Sequence, residues 1–161
     1  MKLLKPNNYY KDIYAINYQK LKQNNIKCLL FDLDNTIAVL DEKEPSKKII
    51  NFFNELKKTN YDIYIFSNAS KKRIEPFRKC LNINSIHFAL KPLKRNFKKV
   101  LKKYNKEEIV IIGDQIFTDI LGGNKVGIMT VLVDPISNKD LLITKINRLL
   151  EKKIRKGMKY E

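Results

Sequence analysis

Five short apolar runs punctuate the chain: IKCLLF (26–31), YDIYIFS (61–67), SIHFAL (85–90), EIVIIGD (108–114) and GIMTVLVD (127–134). Each is too short and too continuous for an amphipathic helix, and fits a strand buried on both faces, as in a parallel sheet. Between them the apolar spacing becomes helical. Ile49, Ile50, Phe53 and Leu56 form one stripe behind the start signals Pro45 and Ser46. Ile74, Phe77 and Leu81 form a second, where Pro76 predicts an irregular or late-starting helix. Phe97, Val100, Leu101 and Tyr104 define a third. Ile116, Phe117, Ile120 and Leu121 define a short fourth, ended by Gly122 and Gly123. Residues from about 7 to 24 are expected to form an N-terminal helical segment. Leu142, Ile146, Leu149 and Ile154, opposite Lys and Arg, predict a basic C-terminal helix over about 138–156. Strands alternating with helices give an α/β fold with right-handed crossovers. The expectation is a mainly parallel five-stranded sheet with helices on both faces, in one domain over 1–161.

Composition adds charge. The 161 residues carry 33 Lys and Arg against 17 acids, a net charge of +16. That balance favours anionic partners: nucleic acid, anionic lipid or a phosphorylated substrate. Lys, Asn and Ile also share A/T-rich codons, a second source of the excess. Cys28 and Cys80 are too few for a disulfide scaffold and are expected to be reduced, packed thiols in a cytoplasmic protein. His87 is the only histidine, which argues against a His-based zinc site or a Ser–His–Asp triad. No apolar run approaches the roughly 18–20 residues that span a bilayer, so membrane contact is expected to be peripheral, at the inner face.

The candidate chemistry lies where the strands end. In an open α/β sheet, ligands bind beyond the carboxyl ends of the strands. The first run ends in Asp32 and Asp34, the second in Ser67 and Asn68. Lys91 follows the third, and the fourth ends in Gly113 and Asp114 with Asp119 just beyond. A polar residue after one strand is ordinarily a turn or helix cap; this set converges on one sheet edge. Clustered carboxylates repel, and a divalent cation relieves the repulsion; oxygen ligands together with substrate phosphate suit Mg²⁺. A lysine and a hydroxyl then face phosphate oxygens, which suits phosphoryl transfer. No GxxxxGK[ST] occurs, so a P-loop is absent. A receiver domain, with its acidic pair and phosphoacceptor on different strands, does not fit DLD at one strand end.

In their order, DLDNT (32–36), FSN (66–68), Lys91-Pro92 and GDQIFTD (113–119) resemble the four motifs of the haloacid dehalogenase-like (HAD) phosphohydrolases. LLKP, SNASKKRIEPF, KPLKRNFKK, GDQIFTDILGGNKVG and TKINR are further similar to the YqeG-type branch of subfamily IIIA. Relatives of that branch include phosphatidylglycerophosphate phosphatases of plastids and mitochondria. Ala69 departs from the pattern, which has a second Asn there in many relatives. The resemblance implies a Rossmann-like HAD domain with two catalytic residues. Asp32 attacks phosphorus; Asp34 protonates the leaving oxygen and later deprotonates water. It also implies Mg²⁺ on the Asp32 carboxylate, the Asp34 backbone carbonyl and the Asp114 carboxylate. Ser67, Asn68 and Lys91 bind phosphate, with helix capping the competing reading for Ser67 and Asn68. Thr36 braces the loop, and Asp119 orients Lys91 or a metal-bound water.

The gaps after Thr36 and after Asn68 each have room for one helix and not for a cap domain, since domains run to roughly 50 residues or more. IAVLDEKE (37–44) can form only a small flap, so an open site is expected. Such a site admits phosphate on something large: a phospholipid headgroup at a membrane, a phosphoprotein or a nucleic-acid end. Near an anionic leaflet each Lys or Arg contributes about 1 kcal/mol. The expected function is Mg²⁺-dependent conversion of phosphatidylglycerophosphate to phosphatidylglycerol. The alternatives are a capless phosphatase for another phosphomonoester, or a basic RNA- or ribosome-binding protein with vestigial phosphatase motifs, for which no common RNA-binding signature is present.

Overall fold

The computed structural model describes residues 2–137 and 142–161. Four of the apolar runs form the centre of one sheet: β2 (Cys28–Phe31), β3 (Asp62–Phe66), β5 (Ile109–Gly113) and β6 (Met129–Val133). Two three-residue strands, β1 (Asn8–Tyr10) and β4 (Asn84–Ile86), flank them. The order is β1-β6-β5-β2-β3-β4, and every neighbouring pair is parallel. Alternate side chains serve opposite faces. Leu29, Phe31, Ile63, Ile65, Val110 and Ile112 pack with Phe53, Leu56, Ile74 and Phe77. Cys28, Leu30, Tyr64, Phe66, Ile109 and Ile111 pack with Phe97 and Val100 on the other. Burial on both faces is the physical reason for the continuous apolar runs.

Helices α2 (Lys47–Lys57) and α3 (Lys71–Leu81) supply one layer, and α4 (Lys94–Leu101) belongs to the other. Ser46 and Ser70 cap α2 and α3, each Oγ accepting a backbone N–H three residues on. Pro76 lies inside α3, which nevertheless begins at Lys71, so the expected late start does not occur. The ring removes one ladder hydrogen bond, to the carbonyl of Lys72, and that residue is exposed where water can take the partner's place.

Further expectations change. The sheet has six strands and not five, because Asn8–Tyr10 joins the edge of β6. That segment is held by Asn7, whose backbone N–H donates to the Thr130 carbonyl at 3.0 Å and whose Oδ1 accepts from the Thr130 N–H at 2.8 Å. The stretch from 7 to 24 is therefore a strand, turns and the single short helix α1 (Tyr18–Gln23), not one helical segment. The run 85–90 is strand only to Ile86. His87 and Phe88 are exposed, and the chain leaves the ladder to bond the Ser67–Ala69 loop. Cys28 is fully buried, but Cys80 lies on the exposed side of α3. Burial, with a smaller contribution from Asp62, pushes the Cys28 thiol up to about 12. At the C-terminus, α6 (Leu142–Arg155) provides the basic helix, while 138–141 lie outside the described residues.

Gly122 and Gly123 do not end a helix. They lie within α5 (Leu121–Val126), which stops at Gly127 in the left-handed region, φ 79°. The absence of side chains lets α5 sit close to the sheet. A Cβ on Gly123 would approach Thr130 Cγ2 to 2.5 Å and Ile111 Cγ2 to 2.7 Å. Gly123→Ala should therefore destabilise the protein by about 1–3 kcal/mol in urea unfolding, despite alanine's better helix propensity. A neutral or stabilising result would show that α5 can retreat from the sheet.

Candidate active site

The strand order turns at β2. The chain moves outward through β3 and β4, then returns to the other side of β2 for β5 and β6. A crevice at such a reversal, beyond the carboxyl ends, is where α/β sheets bind ligands. Register pairs Phe31 with Ile65 on one side and with Ile112 on the other. Asp32 thus leaves β2 beside the ends of β3 and β5, from which Ser67 and Asp114 follow.

At the centre is Lys91. Its Nζ lies 2.6 Å from Asp32 Oδ1 and 2.6 Å from Asp119 Oδ1, and all three residues are buried. Desolvation alone would lower the lysine pKa. The Asp119 and Asp32 carboxylates outweigh it and raise the pKa, so the ammonium is charged. Burial pushes the Asp119 carboxyl up to about 6, against the pull of Lys91 and with a further push from Asp32. The second Asp119 oxygen accepts from the Gln115 N–H at 3.1 Å. Gly113 makes this approach possible, since a Cβ there would stand 2.2 Å from Asp119 Oδ2.

Asp34 takes a different direction. Its Oδ1 accepts from Arg73 Nε at 3.0 Å and Nη2 at 2.8 Å. Burial raises the Asp34 pKa, while the hydrogen bonds and charge of Arg73 pull it down. The same guanidinium donates to the carbonyls of Val39 and Glu42, tying α3 to the 37–44 flap. Thr36 Oγ1 donates to Asp114 Oδ1 at 3.1 Å. Asn68 brackets the backbone of Lys91, donating to its carbonyl at 3.0 Å and accepting its N–H at 2.8 Å. Ser67 is buried, and its Oγ accepts the Ala69 N–H at 3.3 Å, which leaves the hydroxyl proton to donate elsewhere. Neither Ser67 nor Asn68 caps the next helix; Ser70 does.

Three contributors were not legible as site residues in the sequence. Arg73 stood in a helical stretch among other basic residues. Glu151 and Arg155 stood in the basic tail. Glu151 is buried and accepts the N–H groups of Ile116 (2.7 Å) and Phe117 (3.1 Å), opening the π-turn Ile116–Ile120 that carries Asp119. Arg155 Nη2 donates to the Asp114 carbonyl at 2.5 Å. A buried-face position for an acid, Glu151 in line with Ile154, was the available signal for the tail.

Carboxylate oxygens of Asp32, Asp114 and Asp119 lie within 4.8 Å of one another. Among the described residues Lys91 is ion-paired to two of these acids, Asp32 and Asp119. Clustered hard oxygen donors suit a divalent cation. The side chain of Asp34 is held by Arg73 and is not one of the three carboxylates of this cluster.

A parallel α/β sheet with this lysine-centred carboxylate set at its switch point is the arrangement expected of a HAD-like phosphatase. Comparison with known proteins gives the family. The model of the mitochondrial PGP phosphatase family matches residues 1–137. The chain is 36% identical over 160 residues to the Probable phosphatase YqeG of Bacillus subtilis (strain 168), covering 98% of this chain and 93% of that protein. The chain belongs to the mitochondrial PGP phosphatase family. It is also 27% identical over 172 residues to phosphatidylglycerophosphate phosphatase 1, chloroplastic/mitochondrial, of Arabidopsis thaliana, covering 92% of this chain but 48% of that protein. Two solved structures share the fold. A predicted HAD-like family hydrolase from Porphyromonas gingivalis has TM-score 0.55 at 14% identity, over 78% of this chain and 98% of that one. The cobalt-bound deoxy-D-mannose-octulosonate 8-phosphate phosphatase YrbI of Haemophilus influenzae has TM-score 0.54 at 14% identity, over 81% and 90%.

Gly113→Ala tests the packing that seats Asp119. The new methyl must displace that carboxylate, and a shift of about 1 Å at such a site costs on the order of 100-fold in kcat. Turnover within a factor of a few of the parent would show that Asp119 is not held where activity requires it.

Proposed function

We propose that this phosphatase hydrolyses phosphatidylglycerophosphate to phosphatidylglycerol and inorganic phosphate, with Mg²⁺, through an aspartyl-phosphate on Asp32. One observation supports the chemistry above others: Asp32 is ion-paired to a buried lysine among further carboxylates, while Asp34, two residues on, is held by a separate arginine. The pair is thereby split into a nucleophile that faces an ammonium and a carboxyl whose burial favours the protonated form.

In the first half-reaction an Asp32 oxygen attacks phosphorus and the ester P–O bond breaks. The departing alkoxide takes the proton of the Asp34 carboxyl. In the second, the Asp34 carboxylate removes a proton from water, which attacks the acyl phosphate and regenerates Asp32. Lys91 neutralises charge on the phosphoryl oxygens, Ser67 donates its hydroxyl proton to one of them, and Asn68 fixes the Lys91 backbone. The Asp32 and Asp114 carboxylates and the Asp34 carbonyl would hold Mg²⁺, whose charge lets an anionic nucleophile meet an anionic ester. Thr36 and Asp119 orient Asp114 and Lys91.

Three things favour a lipid. The Arabidopsis relative carries that activity in its name. The net charge of +16 suits an anionic surface. The segments around the site are short: α2 lies between β2 and β3, and α3 and β4 lie between β3 and Lys91. We read the chain as a single domain without a cap, leaving the site open to a headgroup at a membrane face. Among the described residues no helix is long and apolar enough to cross a membrane.

Phosphate release from phosphatidylglycerophosphate in mixed micelles, with Mg²⁺ and with chelator, tests the reading. The expected result is turnover that chelator abolishes and that Asp32→Asn reduces on the order of 1000-fold or more. Release from soluble phosphomonoesters but not from the lipid would reject the lipid substrate and retain the chemistry. Tight RNA binding with a steep salt slope and no turnover of any phosphoester would reject both.

The division of roles has its own measurement. Asp34→Asn should lower kcat by about 10²–10⁴ and leave Mg²⁺ affinity near that of the parent. Asp114→Asn should weaken Mg²⁺ binding. Equal loss of affinity in both variants would overturn the assignment of a backbone ligand to Asp34.

A further inference from the structure

Six described non-glycine residues have positive φ, and four of them are asparagines: Asn25, Asn35, Asn60 and Asn82. Asparagine is the residue that tolerates this region at least cost. The two exceptions are Phe88 (φ 44°) and Leu90 (φ 57°), bulky side chains in a conformation that disfavours them. Ala89 between them is fully buried, but the two strained side chains themselves are not. Phe88 is 52% exposed and Leu90 42%, and Leu93, three positions on, is 58% exposed. The loop is nevertheless firmly held. The Phe88 N–H donates to the Ala69 carbonyl at 3.0 Å, its carbonyl accepts from buried Asn96 at 2.7 Å, and the Leu93 N–H donates to the Leu90 carbonyl at 2.7 Å. Strain held at two exposed apolar side chains points to a function.

The next segment breaks a second local rule. Leu93 is the N-cap of α4 and makes no side-chain cap hydrogen bond, and the first turn has no acid but carries Lys94 and Arg95 against the positive end of the helix dipole. Lys94, Arg95, Lys98 and Lys99 are all exposed, opposite the buried Asn96, Phe97 and Val100. Three apolar side chains thus stand beside a face of four cations, and Lys91 of the site lies within the same stretch. Singly exposed apolar residues are commonplace; apolar side chains bordered by cations suit an anionic bilayer surface.

We propose that Phe88, Leu90 and Leu93 insert among the headgroups of an anionic phospholipid bilayer while the α4 cations meet lipid phosphates. This loop then docks the open site on the membrane that holds its substrate. The proposal rests on the lipid reading above and adds the surface that delivers the protein to the lipid.

The chain has no tryptophan, so a single introduced one reports its own surroundings. Phe88→Trp and Leu93→Trp, made separately, should each shift their emission to the blue on vesicles of phosphatidylcholine and phosphatidylglycerol, and not on pure phosphatidylcholine. A second variant, Phe88→Asn with Leu93→Ser, puts asparagine at a positive φ and a capping serine at the head of α4. It should keep or raise Tm and leave turnover of a soluble aryl phosphate unchanged, yet lose at least about tenfold in vesicle binding. Unmoved emission, or vesicle binding by that variant equal to the parent's, overturns the proposal. The two readings fail separately. Equal phosphate release from vesicle-borne phosphatidylglycerophosphate by parent and variant sinks the docking loop and keeps the lipid substrate. Docking through the loop without any such release keeps the loop and sinks the substrate.

Discussion

A single ammonium group, Lys91 Nζ between Asp32 and Asp119, is the contact on which the arrangement turns. Two carboxylates 2.6 Å from one lysine, with Asp114 close by, cannot be buried without it. Breaking such a buried network by removing one partner typically costs 3–5 kcal/mol, because the remaining charges are stranded. The lysine also gathers residues from β2, from the loop after β4 and from the π-turn after β5. Structural cohesion and the charge distribution we propose for phosphoryl chemistry therefore come from the same three side chains.

The parallel sheet makes this convergence possible. Every strand of a parallel sheet presents its carboxyl end at the same edge, and the reversal at β2 opens a crevice there. Burial on both faces fixes the strands in position, so Asp32 and Asp114 emerge at neighbouring points set by the Phe31–Ile112 register. Gly113 and Gly123 then allow close approaches that any side chain would prevent, one by the Asp119 carboxylate and one by α5 against β5 and β6.

The two chain ends complete the frame. β1 extends the sheet at β6. Tyr9 of that strand and Tyr160 near the C-terminus both bond Asp134, which Arg155 also contacts at 3.1 Å. Through Glu151 and Arg155 the last helix fixes the π-turn and the backbone of Asp114. The tail, which reads as a basic surface helix, thus supports the carboxyl edge of the sheet, while its Lys152 and Lys153 are exposed.

The central strands and the acidic, hydroxyl and lysine positions at their ends could be read from the sequence, because both are local: an apolar run followed at once by a polar residue. DLDNT carries its meaning within five residues. The Arg73–Asp34 pair could not be read, since it joins positions 39 apart and many exposed cations would have served the pattern equally well. Nor could β1, three residues with no periodicity of their own, placed by hydrogen bonds from Asn7 to Thr130 across 123 positions. The same holds for Glu151 on the N–H groups of Ile116 and Phe117. Local pattern thus determined which residues could do the chemistry. Packing across the whole chain decided which partners hold them, because a charge or a backbone amide takes whichever partner the folded chain brings into its desolvated neighbourhood.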